Sequence, residues 1–370
     1  MAEKEGSSWR EIRDNIDLVM LVAAIALFFL GIAAIYSASP NKEITMSSYA
    51  VRQLMWGGLS SFVYVLVLRI GYRRFLDLAG PLFVLLILIL LLLLVVGHTS
   101  KGAQSWFDLG FIRIQPSEIG KVILVLAMAS LCSKIPPKDL KGIAAALALS
   151  GSLIALILLQ PDLGSSLVYS VILFAVLIAS GAPVKFLTGI AVFVLAMLPA
   201  AWVFLKPYQK MRLMVFLDPT VDPQGAGYNV IQSRIAVGSG GIFGKGFLHG
   251  TQGKLHFLPE PHTDFIFSVF SEEFGFIGCL VVLILFTVLL LRMLNAAFYT
   301  RDMRGKLLSV GIVAWIWFQM TESIGMSMGL LPVTGLPLPL FSYGGSSLLA
   351  VALGLALVQS VVIASKEGRF

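Results

Sequence analysis

The chain has 370 residues, of which 58% are hydrophobic and only 13% charged, about half the charged fraction of a soluble domain. Mean hydropathy is +0.91, and ten apolar stretches approach the ~20 residues a helix needs to cross a bilayer. A soluble enzyme, a nucleic-acid-binding domain and a disordered scaffold are excluded. What remains is an all-α polytopic membrane protein. The net charge of +7 admits an anionic polymer as partner, or simply loop charge that sets orientation.

The predicted spans are 18–38, 53–70, 78–97, 118–133, 142–159, 163–180, 184–205, 265–291, 307–330 and 345–364. Ser37-Ala38-Ser39 looks like a cleavage site, but the preceding run exceeds the length of a signal h-region and reads as a retained first span. An even number of spans puts both termini on one side. With that side cytoplasmic, the inner segments hold 16 Lys and Arg and the short outer loops five, the asymmetry expected of cytoplasmic termini. The whole chain, 1–370, reads as one ten-span membrane domain with a long extracytoplasmic loop at about 206–264. Cys132 and Cys279 lie inside or at the end of spans and give no disulfide framework.

Spans 4, 6, 8 and 10 all begin at the outer face with helix-start chemistry. Gln115-Pro116-Ser117-Glu118, Gln160-Pro161-Asp162, Pro261-His262-Thr263-Asp264 and Ser342-Tyr343-Gly344-Gly345-Ser346-Ser347 open them. Taken singly, Glu118, Asp162 and Asp264 are first-turn carboxylates that suit a helix dipole. Taken together, four helix N-termini favour a phosphorylated ligand, and ionisable groups at membrane depth mark function. A transporter vestibule fits the same facts.

Glu118 and Lys121, three apart, can pair on one helix face, as a structural pair or as ligand contacts. Of Glu272 and Glu273, at most one is expected on the face of Asp264. Glu322 is expected to satisfy a neighbour, Gln319 or Ser323. The glycine-rich run from Gly238 to Gly246 could cradle phosphate but matches neither nucleotide-binding fingerprint. His249, His256 and His262 match no compact zinc motif. Trp106 reads as an interfacial belt residue.

Several longer motifs resemble one family. Gly244-Lys245-Gly246-Phe247, Gly250-Thr251-Gln252 and the run from Leu258 through Asp264 to Phe267 lead into Glu272-Glu273-Phe274-Gly275. Further on stand Leu331-Pro332-Val333-Thr334-Gly335-Leu336-Pro337-Leu338-Pro339 and Phe341-Ser342-Tyr343-Gly344-Gly345-Ser346-Ser347. With the Gln-Pro motifs and Gly227-Tyr228-Asn229-Val230-Ile231-Gln232-Ser233, these resemble the SEDS family (shape, elongation, division and sporulation), and its RodA branch more than its FtsW branch.

The resemblance implies a peptidoglycan glycosyltransferase that polymerises lipid II at the outer face of the cytoplasmic membrane during cell elongation. It implies a class B penicillin-binding transpeptidase as partner, with other elongation-complex proteins. By position, Asp264 matches the catalytic aspartate, Glu118 and Lys121 the charged pair, Trp106 the outer-loop tryptophan and Asp162 the acidic residue after Gln-Pro. Arg212, Arg234 and Lys245 are added here as candidate phosphate contacts. The leaving pyrophosphate needs positive charge, from helix N-termini, from Lys or Arg, or from a divalent cation (Mg or Mn). A carrier or flippase for lipid-linked precursor is the alternative, and helix interruptions at the membrane midplane would favour it.

Overall fold

The computed structural model describes residues 9–39, 45, 48–100, 103–108, 113–251, 257–258 and 260–368. The helices are α1 (Trp9–Asn15), α2 (Leu18–Ala38), α3 (Tyr49–Ile70), α4 (Tyr72–Asp77), α5 (Ala79–Val96), α6 (Pro116–Lys134) and α7 (Leu140–Leu159). They continue with α8 (Leu163–Ala179), α9 (Val184–Phe204), α10 (Pro207–Leu217), α11 (Ala226–Ser239), α12 (Ile266–Tyr299), α13 (Met303–Met328) and α14 (Gly345–Lys366). Among the described residues, eight helices are long and apolar enough to cross a membrane, and α8 and the first part of α9 are shorter apolar helices. Each of the ten predicted stretches overlies one of these.

Side-chain caps fix several starts. Asp17, Asp139 and Asp162 accept from the backbone N–H three residues on, satisfying one of the free donors of the first turn. Packing then sorts the helices. α13 and α14 form the centre, with α3 and α6 against α14, and α6, α8 and α12 against α13. α2 lies along α12. By contrast, none of the described side chains of α9 is buried, and it meets the core only through half-buried residues such as Leu187 and Ile190.

Two features were not foreseen. The loop after α5 carries a small antiparallel sheet of β1 (His98–Ser100), β2 (Ala103–Asp108) and β3 (Arg113–Ile114), with His98 opposite Trp106. The aromatic pair Trp106 and Phe107 suits a strand, but the run is too short to stand out in an apolar sequence. The second feature is a break in α12 at Gly275, with φ 63° and ψ −164°.

At that break a loop takes over the helix's hydrogen bonds. Lys245 N and Gly246 N donate to the carbonyls of Glu272 and Glu273 at 3.0 and 2.9 Å. Phe276 N and Ile277 N donate to Gly241 O and Ile242 O at 2.9 and 3.1 Å. Gly275 has no room for a side chain, since a Cβ there would lie 2.3 Å from Gly244 N. The glycine-rich run thus serves as a backbone splint, and the amides of Lys245 and Gly246 are committed to α12 rather than free to cradle phosphate.

The four N-termini of α6, α8, α12 and α14 do meet at one end of the bundle. Gln115 N donates to Ser346 Oγ at 3.3 Å and Gln115 Nε2 to Asp162 Oδ2 at 3.1 Å. Between α13 and α14 the segment 329–344 dips into the bundle. There Phe341 is fully buried, and its backbone packs so tightly on Gly31 of α2 that a Cβ there would sit 2.5 Å from the Phe341 carbonyl. Gly31 lies seven residues from the end of α2, roughly 10 Å down the helix. The walls of the site are therefore recessed.

Candidate functional site

The first polar cluster grows from α6. Lys121 Nζ lies 2.6 Å from Glu118 Oε1, with both side chains buried. The same ammonium donates to Gln319 Oε1 at 3.2 Å and sits 5.5 Å from the centre of the Trp315 ring. Trp315 Nε1 donates to that same oxygen at 2.6 Å, and Gln319 Nε2 donates to Pro337 O at 2.7 Å. Glu118 Oε2 is buried without a hydrogen-bond partner. The pair expected from the sequence exists, and it is a member of a larger network.

Asp162 closes this cluster from α8. It accepts from Ser165 N at 2.9 Å, Ser165 Oγ at 2.7 Å and Gln115 Nε2 at 3.1 Å. Its geometry is that of a helix cap that also ties α6 to α8. Tyr208 Oη and Gln209 Nε2 of α10 donate to the neighbouring Pro161 O at 2.9 and 3.1 Å. Burial pushes the Tyr208 phenol above its usual range, with the Arg212 guanidinium opposing, so it stays a neutral donor.

The second cluster surrounds Asp264. A cavity of about 360 Å³ is lined by Arg212, Asn229, Glu260 and Asp264 together with apolar side chains that include Val333 and Phe265. Arg212 Nη1 donates to Thr334 O at 3.3 Å, and the Thr334 hydroxyl donates to Glu322 Oε1. Glu322 lies within electrostatic reach of both Asp264 and Arg212. A Cβ at Gly335 would lie 3.6 Å from Asp264 Oδ2. Two carboxylates, Asp264 and Glu260, and the Arg212 guanidinium thus line one recess, where fixed positive charge can meet an anionic group beside a carboxylate.

The expected position of Asp264 needs correction. α12 begins at Ile266 with Phe265 as its cap residue, so Asp264 belongs to the preceding turn, 261–265. Pro261 and the carboxylate suggested a first turn, but the helix starts later, where its apolar side packs. Glu322 bonds Thr334 rather than Gln319 or Ser323, because the 329–344 segment dips back onto α13. Glu272 and Glu273 are both buried beside the α12 break. The former meets Lys245 Nζ at 2.6 Å, and the latter accepts from the Ser37 hydroxyl.

Two candidate phosphate contacts are engaged elsewhere. Lys245 is paired with Glu272, and Arg234 donates from Nη2 to Gly329 O at 2.9 Å, closing the C-terminus of α13. Of the three added cations, Arg212 alone lines the cavity. Trp106 is half-buried on β2, whose sheet packs on α5 and α6 beside the helix that carries Glu118. His249 Nδ1 lies 2.9 Å from Phe247 O, and His262 stacks on Tyr49 at 4.0 Å. His256 lies outside the described residues.

Comparison with known proteins places this arrangement. A family model described as "Cell cycle protein", covering FtsW, RodA and SpoVE, matches residues 17–367. The chain belongs to the FtsW/RodA/SpoVE family. Relatives include peptidoglycan glycosyltransferase MrdB of Escherichia coli, 40% identical over 94% of this chain and 93% of that protein. Peptidoglycan glycosyltransferase RodA of Treponema pallidum is 33% identical over 94% of this chain and 97% of its own. Among solved structures, a chain of a peptidoglycan synthase complex that coordinates polymerization and crosslinking matches with TM-score 0.81 and 34% identity, covering 95% of this chain and 98% of that one. The rod shape determining protein RodA of Thermus thermophilus matches with TM-score 0.71 and 32% identity, over 95% of this chain and 97% of that one.

Within this member of the family, sequence reasoning missed Asn229, Glu260 and Thr334, and it gave Gln319 a different partner from the ones it has. Asn229 and Thr334 stood inside quoted motifs, which was signal enough to test them. Gln319 was read only as a neighbour for Glu322, although a buried amide in a membrane helix is itself a reason to look for partners on other helices.

Proposed function

We propose that this chain is a peptidoglycan glycosyltransferase that polymerises lipid II into glycan strands for cell elongation. The observation that carries the reading is the shared recess of Asp264 and Arg212, in a chain whose relatives carry that activity in their names. Lipid II holds its disaccharide on a polyprenyl pyrophosphate, so sugar, pyrophosphate and lipid must meet where the membrane ends. Asp264 acts as the general base on the acceptor 4-hydroxyl and takes its proton. That oxygen attacks the donor anomeric carbon and the bond to undecaprenyl pyrophosphate breaks. One base and an activated leaving group imply direct displacement with inversion, by analogy with inverting glycosidases.

Arg212 supplies fixed positive charge for the departing pyrophosphate. A divalent cation, Mg or Mn, belongs to the proposal as a further source of charge. Mg binds through one or two carboxylates plus phosphate oxygens, and Glu260, the second carboxylate lining the cavity, would hold it while Asp264 takes the proton. Glu118, Lys121, Asp162 and Trp106 support the recess rather than meet the reacting atoms.

The proposal extends to place and partner. The chain sits in the cytoplasmic membrane with both termini inside, as the Lys and Arg distribution favours. A class B penicillin-binding protein cross-links its product, in keeping with the complex to which the structure is similar. The carrier reading loses ground because the α12 interruption stands at the end of the bundle, beside Ser37 near the end of α2, and not midway along it.

Purified chain incubated with lipid II should yield glycan strands, more of them with the transpeptidase present. Movement of lipid II between leaflets without polymer would overturn the reading.

A further inference from the structure

We infer that Gln319 is a positioning residue that joins the Glu118–Lys121 pair to the wall of the Asp264 recess. The inference rests on the polymerase reading and names a residue that reading did not use. Gln319 is fully buried on α13, and each end of its amide is engaged. Oε1 accepts from the Lys121 ammonium at 3.2 Å and the Trp315 indole at 2.6 Å, while Nε2 donates to Pro337 O at 2.7 Å. Of the uncharged side chains of this length, the amide has both an acceptor and a donor to offer.

One turn further along α13, Glu322 accepts from the Thr334 hydroxyl. α13 therefore grips the dipping segment at two points, Pro337 through Gln319 and Thr334 through Glu322. Gly335 lies between those points, and it is the residue that faces Asp264, with a Cβ position 3.6 Å from Oδ2. Thr334 also holds Arg212 through its carbonyl at 3.3 Å. A shift of this short segment moves the neighbour of the base and the anchor of the guanidinium together. Misplacement by ~1 Å can cost ~100-fold in rate.

The grip at Pro337 depends on the donor half of the amide, which makes it separable from the acceptor half. Gln319→Glu keeps an acceptor for Lys121 and Trp315 but, ionised beside the ammonium, has no proton to give Pro337. Gln319→Met conserves volume and removes both halves. The segment 331–342 should loosen in either variant while α6 keeps its own fold.

The test uses the full chain in detergent or nanodiscs, with two readings. In Gln319→Glu, kcat for lipid II polymerisation should fall roughly tenfold or more, with KM within about twofold, the pattern of lost transition-state alignment. Hydrogen–deuterium exchange should rise in peptides covering 331–342 and stay unchanged across α6. Near-normal kcat, or unchanged exchange in that segment, would overturn the inference. If Gln319→Glu does not accumulate as folded protein, Gln319→Met is judged by the same two readings, and its normal turnover would overturn it equally. A wild-type chain inert toward lipid II would strike the polymerase reading, while the exchange measurement would still decide whether Gln319 holds the segment.

Discussion

The Ser37 hydroxyl at the end of α2 donates to the Glu273 carboxylate just before the break in α12, and at the other end of the same pair of helices Arg292 meets Asp17 at 2.6 Å. The two contacts bracket a stretch of α12 long enough to cross a membrane. From 273 to 292 it spans about 28 Å, close to the ~30 Å of a bilayer core. Residues 266–273, before the break, are all buried. α12 is one helix in sequence and two in role.

That division gives Lys245 a structural task. Glu272 is fully buried and is held by Lys245 Nζ at 2.6 Å, Thr251 N at 2.9 Å and Thr251 Oγ1 at 2.7 Å. Lys245→Met should lower stability by about 1–3 kcal/mol, the cost of leaving a buried group short of a partner, with KM for lipid II little changed. Thermal unfolding followed by fluorescence, beside steady-state kinetics, separates the two. A rise in KM at unchanged Tm would return Lys245 to the substrate site.

The buried pair on α6 should resist a charge swap. Removing Lys121 strands Glu118 in a dry environment, at a cost of ~3–5 kcal/mol. Exchanging the two residues restores the opposite charges but sets a carboxylate against Gln319 Oε1. Turning the amide over would satisfy that carboxylate only by withdrawing Nε2 from Pro337. The double variant Glu118→Lys, Lys121→Glu should therefore regain folded protein with little polymerase activity. Recovery of full activity would show that the pair acts alone.

Much of this architecture was legible in the sequence, because apolar runs of helical length and the chemistry of helix starts are local signals. Pro116 and Asp162 mark the beginnings of α6 and α8 where they were expected. The family was legible too, from motifs that cluster around Asp264 and Gly335. What stayed hidden depends on the chain returning to itself. Nothing near Lys245 or Arg234 announces that each is held by a distant acceptor, Glu272 and Gly329. The dip of 329–344, which gives Gln319 and Glu322 their partners, is a tertiary fact. Gly275 was visible as a glycine, but its positive φ follows from the loop that splints it.

Gly335 tests how closely the dipping segment must approach the base. Its φ of 80° costs a non-glycine residue roughly 1–2 kcal/mol, and the added methyl would stand in ordinary contact with Asp264 Oδ2. Gly335→Ala should fold with a modest loss of stability and lose polymerase activity out of proportion to it. A variant with wild-type kcat would mean that the carboxylate is held by other contacts.

Asp264→Asn is the decisive substitution. Asp264 lies in the turn before α12, and the cap position belongs to Phe265, so the substitution leaves the cap residue unchanged. Asparagine keeps the shape and the capacity for hydrogen bonds but cannot take a proton from an attacking hydroxyl. The protein should insert, fold and engage its partner as before, while glycan synthesis falls by ~100-fold or more, the usual scale for a positioned base. Raising pH should not restore the variant, since the asparagine at that position has no proton-accepting carboxylate to ionise. Polymer yield per folded molecule, with lipid II saturating, is the measurement to make. A well-folded Asp264→Asn protein that polymerises at near-normal rate would remove Asp264 from the chemistry and leave Glu260, the other carboxylate lining the cavity, as the group to examine.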